Sequence, residues 1–203
     1  MATVLVPVTE AAVEPEVLTP SATAMHEFIR RVREAFETET TIARMLSSTE
    51  GALKDLLVRP DCLDGLDIDR QEFRSWKAYV DPDHLFCIHV SHQKPIYRRG
   101  VHDHGELGWA VYGVHKGEII QQLYEREDDG SAPGRATLRP LPEVRQRAGD
   151  AVIVPMSGSH APRNESGVEA WAVVIRSREL ATIWRNFYNV EKGTVVRIRK
   201  GSD

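Results

Sequence analysis

Hydrophobic residues change their period along this chain. After Thr19-Pro20, Met25, Phe28, Ile29, Val32 and Phe36 recur at steps of three and four, with Arg30, Arg31, Arg33 and Glu34 between them. That is the spacing of one apolar helix face. A second helical pattern sets Ile42, Met45 and Leu46 on one side; after Ser47-Ser48-Thr49 a third sets Leu53, Leu56 and Leu57 together and ends before Pro60. Residues 1–20 carry Pro7, Pro15 and Pro20 with no helical period and read as an extended or disordered tail.

From Phe73 the pattern shortens to runs of β type: Phe73–Val80, Leu85–His92, Ile96–His104, Trp109–His115, Glu118–Glu125, Ala136–Arg147, Ala151–Pro155 and Glu169–Arg176. Asp81-Pro82-Asp83, Lys116-Gly117, Asp128-Asp129-Gly130 and Asn164-Glu165-Ser166-Gly167 separate them with turn chemistry. Strands joined this tightly predict an all-β antiparallel barrel or jelly roll. Glu179–Arg185 reads as a short helix, and Thr194–Arg199 as a final edge strand. The expected organisation is a tail over 1–20, a helical extension over 21–70 covering one side of a sheet, and a β-domain over 71–203.

A length of 203 residues suits one well-cored domain with an extension. The net charge of −4 argues against nucleic acid, which demands a basic surface. Cys62 and Cys87 are the only cysteines, too few for a disulfide framework or a cysteine metal site, and read as buried reduced thiols. No apolar run is long enough for a bilayer and no signal pattern opens the chain. The expectation is a cytoplasmic protein, monomer or homo-dimer, with neither nucleic acid nor membrane as partner.

The candidate chemistry lies in Gly100–Gly117. His102 and His104 stand two residues apart, so on a strand they point to one side while Asp103 faces away. A third imidazole comes from Gly149–Asn164, where a strand, a Pro155–Gly158 turn and a returning strand carry His160. His26, His84, His89, His92 and His115 lack ligand spacing and read as packed or solvated. Glu106 falls two residues beyond His104, but Gly105 predicts a turn that sends it to solvent.

These stretches resemble the paired motifs of the cupin superfamily. The second motif, G-x5-P-x-G-x2-H-x3-N, is matched at Gly149, Pro155, His160 and Asn164, with Ser157 where glycine is usual. The first is matched at His102, His104 and Gly117, without its glutamate, whose two possible positions hold Gly108 and Trp109. The resemblance implies a cupin double-stranded β-helix with an N-terminal helical extension. Three histidines with the short H-D-H-G stretch are similar to the cysteine dioxygenase family of thiol dioxygenases.

That likeness implies Fe(II) on His102, His104 and His160, with a small thiol and O2 as reactants and a sulfinate as product. The family's Ser-x-His-x-Tyr pattern is missing, because the strand after the third ligand reads Glu169-Ala-Trp-Ala-Val-Val-Ile-Arg176. Tyr97, Tyr112 and Trp109 are the polar aromatic candidates to replace it, and free cysteine is an unexpected substrate. For the family's carboxylate-gripping arginine, alignment of the local run puts Lys77 in place, with Arg98 or Arg99 as alternatives. Another three-histidine cupin activity, such as diketone cleavage, and a non-enzymatic cupin binding a metal or small ligand remain open alternatives.

Overall fold

The computed structural model describes residues 23–199, so the predicted tail lies outside the described residues. Two helices open it, α1 at Thr23–Thr38 and α2 at Ile42–Leu57. The two helical patterns expected within 42–57 are one helix. Ser47-Ser48-Thr49 does not break it because the hydroxyls find local partners: Ser48 donates to the Glu39 carboxylate at 2.7 Å, and buried Thr49 to the Met45 sulfur at 3.7 Å. Thr41 caps the start by accepting from Arg44 N–H at 3.3 Å.

Thirteen strands follow among the described residues, more than the expected eight. Five make one antiparallel sheet in the order β1 (Ser75–Val80), β2 (Cys87–Gln93), β11 (Ala170–Arg176), β5 (Ala110–Lys116) and β9 (Ala151–Val154). The second sheet runs β13 (Thr194–Ile198), β12 (Arg185–Asn189), β4 (Val101–His102), β10 (Ser159–Asn164), β6 (Glu118–Arg126) and β7 (Leu138–Pro140), with β3 (Tyr97–Arg98) on β10 and β8 (Val144–Arg147) on β6. The run expected over Ile96–His104 is broken into β3 and β4, and that over Ala136–Arg147 into β7 and β8, the latter around Pro142.

Glu179–Arg185 is not an α-helix. Leu180–Thr182 forms one 3-10 turn, and Arg185 opens β12, which pairs with β13 on one side and β4 on the other. Backbone pairing with two neighbours overrides the local helical reading.

The helices cover one face of the five-stranded sheet. Phe28, Val32, Leu53, Leu56 and Leu57 pack with Trp76, Ile88, Val90, Trp109, Val111, Trp171, Val173 and Ile175 in one buried cluster. Full burial of each leucine contributes about 1.5–3 kcal/mol. The His115 ring also ties the sheet to the last turn of α2, its Nδ1 lying 3.0 Å from the Leu57 carbonyl. The opposite face looks into the barrel, where Ala110, Tyr112, Val114, Ala170, Ala172 and Val174 meet Ile119 and Leu123 of the second sheet. Cys62 and Cys87 are buried and unpaired, and burial pushes their thiols up to about 12 and about 11.

Candidate metal centre

His102 and His160 face one another across the β4–β10 ladder. His104 follows at the mouth of the next turn, and the ligand atoms of all three lie within 4.8 Å of one another. The backbone dictates this convergence. Gly108 passes so close to His104 that an added Cβ would sit 1.7 Å from the His104 carbonyl oxygen. Ser157, standing where the motif has glycine, adopts φ 59 and donates its hydroxyl to the Glu106 carbonyl at 2.5 Å, joining the two histidine-bearing loops. Asn164 closes the turn after β10 through Val168 O at 2.8 Å and Ser166 N at 3.0 Å.

Asp103 points away from the triad and locks the strand behind it. Its carboxylate accepts from Gly105 N, Asn186 N, Asn186 Nδ2 and Tyr188 Oη at 2.7–3.0 Å. Phe187, on the same strand, stacks on His102 with centroids 5.8 Å apart. The ligand geometry is thereby held from outside the barrel as well as within it.

The residues fit a divalent transition metal. His102 Nδ1 is 3.0 Å from Gly100 O and His160 Nδ1 is 2.9 Å from Gln121 Oε1, so each ring is oriented by one nitrogen and presents the other. His160 Nε2 and both nitrogens of His104 are buried without a hydrogen-bond partner. Burial, with the nearby arginines, holds all three imidazoles neutral: His102 is pulled down to about 3, and His104 and His160 well below the usual range. Buried, neutral and unpartnered nitrogens are the state a metal requires. Glu106 is exposed and outside the cluster.

The other predicted residues scatter. Tyr112 enters the site, its ring 4.9 Å from His160 and 6.3 Å from His104. Trp109 is buried on the opposite side of the same sheet, 6.1 Å from Phe36 of α1. Tyr97 is half-buried on β3, paired with Asn164. Lys77 points to the barrel side of the sheet edge, and its Nζ donates to Glu179 at 2.8 Å. Arg98 is exposed and paired with Glu165 at 2.7 Å; Arg99 is exposed and has no ion pair among the described residues.

Sequence reading passes over Arg176 and Arg185, and it takes His89 only as packed or solvated. Arg176 ends β11 in phase with Ala172 and Val174, is buried, and reaches the Tyr112 hydroxyl at 3.5 Å. Arg185 lies over the Phe187 ring at 5.2 Å. His89, opposite Val174 on β2, keeps a buried unpartnered Nε2, and burial holds it neutral. An arginine in phase with the inward residues of an otherwise apolar strand was the signal available.

No family model and no curated protein matches the sequence. Among solved structures the chain is similar to an oxalate oxidase in complex with glycolate, at 21% identity and TM-score 0.37 over 46% of this chain and 42% of that one. It is also similar to the Cupin_2 domain of an XRE family transcriptional regulator from Enterobacter cloacae, at 14% identity and TM-score 0.37 over 50% and 92% of the two chains. A third is KdgF from Halomonas sp., at 14% and 0.38 over 54% and 82%. The chain thus spans under half the length of the oxalate oxidase. Its own strand order, two facing antiparallel sheets closing on an inward three-histidine cluster behind two N-terminal helices, is that of an antiparallel β-barrel with a helical extension, the fold that the sequence motifs predict.

Proposed function

We propose that the protein is a non-haem Fe(II) thiol dioxygenase that converts a small acidic thiol to its sulfinate. The observation that carries the reading is a metal cluster of three neutral imidazoles with no carboxylate. Such a ligand set leaves the charge of a dication uncompensated and favours anionic ligands, a thiolate among them.

His102, His104 and His160 would hold the iron, which would supply the redox chemistry between substrate and dioxygen. The overall reaction, RSH + O2 → RSO2− + H+, balances without an external reductant. Four electrons leave sulfur, dioxygen accepts four, and both oxygen atoms end on sulfur. Tyr112 accepts from Arg176, which leaves its own O–H free to donate into the site, the role a tyrosine on the next strand would otherwise take. Gln121 and the Gly100 carbonyl orient His160 and His102, while the apolar wall of Val174, Ile119 and Leu123 restricts water.

The test is metal analysis followed by oxygen uptake over thiols and diketones, with product mass. Uptake with a thiol and a gain of two oxygen atoms is expected. Uptake solely with diketones, or none with any candidate on iron-loaded protein, would replace this reading. Alanine at His102, His104 or His160 is expected to weaken iron binding by more than about a hundredfold, since loss of a group behind a ligand already costs 10–100-fold.

A further inference from the structure

Among the described residues, many arginines on the outside of the molecule have carboxylate partners. Arg33 is held by Asp81 at 2.6 Å and Asp83 at 2.5 Å, Arg126 by Asp128 at 2.6 Å, and Arg163 by Glu143 and Glu165. Those turned into the barrel have none. Arg176 is 6% exposed, and its Nε is buried with no hydrogen-bond partner. Arg185 has both Nε and Nη1 buried and unpartnered. Both arginines border the triad: Arg176 reaches the Tyr112 hydroxyl at 3.5 Å, and that ring is 4.9 Å from His160, while Arg185 lies 5.2 Å from the Phe187 ring that stacks on His102. Asp103, which stands between His102 and His104 in the chain, is consumed by its own four donors.

An unpaired buried guanidinium is strongly unfavourable, and its removal normally relieves the fold. Two guanidiniums with buried, unpartnered nitrogens and no carboxylate, beside a histidine triad, therefore describe a receptor awaiting negative charge. The planar fork of each matches one carboxylate. A single carboxylate would compensate one guanidinium and leave the other buried and bare.

We infer that Arg176 and Arg185 form a receptor for a substrate bearing two acid groups, so that the thiol oxidised is a short dicarboxylic thiol. The thiol part rests on the proposed function; the receptor stands on the arginines alone.

Purified protein, iron-loaded and metal-stripped, is titrated calorimetrically with succinate, propionate and butane-1,4-diol at low ionic strength. Succinate is expected to bind at least tenfold more tightly than propionate in both forms, with no binding of the diol. Arg176→Gln and Arg185→Gln should each lose tenfold or more of succinate affinity, Arg176→Lys less, and the outward control Arg163→Gln none. Equal affinity for succinate and propionate, loss of the preference when the metal is removed, or an equal effect of Arg163→Gln would each overturn the receptor. Oxygen uptake with mercaptosuccinate, 3-mercaptopropionate and 2-mercaptoethanol separates the two readings. Succinate binding without uptake of any thiol leaves the receptor standing and removes the thiol; uptake of all three alike without succinate binding does the reverse.

Discussion

The two faces of the five-stranded sheet are made by the same strands and differ in every chemical respect. Along β11, Trp171, Val173 and Ile175 enter the apolar cluster beneath the helices, whereas Ala172, Val174 and Arg176 face the barrel. Ile175 is 0% exposed and Arg176 6%, so burial is nearly equal at adjacent residues. The helix-facing side is almost wholly apolar, and the buried unpartnered polar atom it keeps is the Trp76 indole N–H. The barrel side keeps unpartnered nitrogens on His89, His104, His160 and Arg176. One face is built for stability, and the other holds unmet bonding capacity that a metal and an anion would fill.

The sharpest separation comes from truncating the helix-facing side. Ile175→Ala should lower stability by about 2–5 kcal/mol through lost burial and a cavity, while leaving metal stoichiometry unchanged. Denaturant unfolding and metal analysis of the same sample check both halves. A stable variant that loses its metal would show that the two faces are not independent.

Glycines test the same division at the backbone. Gly108→Ala drives a Cβ into the His104 carbonyl, and Gly113→Ala drives one to 2.4 Å from the Leu57 side chain beneath α2. Overpacking costs roughly 1–3 kcal/mol at Gly113, where a leucine tip can move, and more at Gly108, where the clash is with backbone. Gly108→Ala should also displace His104 and lose most of the bound metal, whereas Gly113→Ala should keep it. Titration of stripped protein with Fe(II) distinguishes them, and equal metal affinity in both would remove the claim that Gly108 positions a ligand.

Strand alternation explains what was legible in the sequence. It turned H-x-H spacing into a shared direction, sent Asp103 the other way, and could be read from sequence because it is local. Applied further, the same rule separates Trp109 from Tyr112: three residues apart on one strand, they cannot share a face, and only Tyr112 reaches the histidines. Two features were not local. The strand Arg185–Asn189 exists because Phe187 and Tyr188 pair with His102 and Val101, some 85 residues earlier, as the Tyr188–Asp103 bond measures. The lack of carboxylate partners at Arg176 and Arg185 among the described residues is likewise a property of what the fold fails to bring near them. Lys77 reads as an anchor in sequence, but Glu179, 102 residues away, occupies it.

Replacing the inward charge should behave opposite to truncating the outward side chain. Arg176→Met keeps much of the volume and removes an unpaired buried cation, so stability is expected to stay within about 1 kcal/mol of the parent or to rise, as buried ionic groups exchanged for apolar ones often do. Activity on an acidic thiol should fall tenfold or more, the loss of one charge-assisted hydrogen bond. Thermal unfolding beside kcat/KM decides it. A large drop in stability would mean that Arg176 already has its counter-charge within the folded chain.

The smallest effect lies where the helix-facing side runs out beyond the cover of the helices. There His92 stacks on Trp171 at 3.9 Å and on Phe73 at 4.4 Å, with Nδ1 2.8 Å from Glu72 O and Nε2 3.0 Å from Glu169. Lys116 also reaches Glu169 at 2.9 Å. Lys116 first and His92 second hold the Glu169 carboxyl down at about 2, against 4.5 for a free glutamate. A depressed carboxyl contributes stability that is fully present above pH 4.5, where folded and unfolded chains are both ionised. As pH falls from there toward 2 the unfolded chain takes up the proton first, and the contribution disappears. Glu169 is about a third exposed, so solvent screening limits the whole contribution to about 1 kcal/mol or less. Glu169→Gln should therefore lower Tm slightly at neutral pH, and the gap to the parent should close on acidification through that window. A gap that stays constant down to pH 2 would show that Glu169 acts by packing alone, leaving polar pairing out of what distinguishes this edge from the open nitrogens inside the barrel.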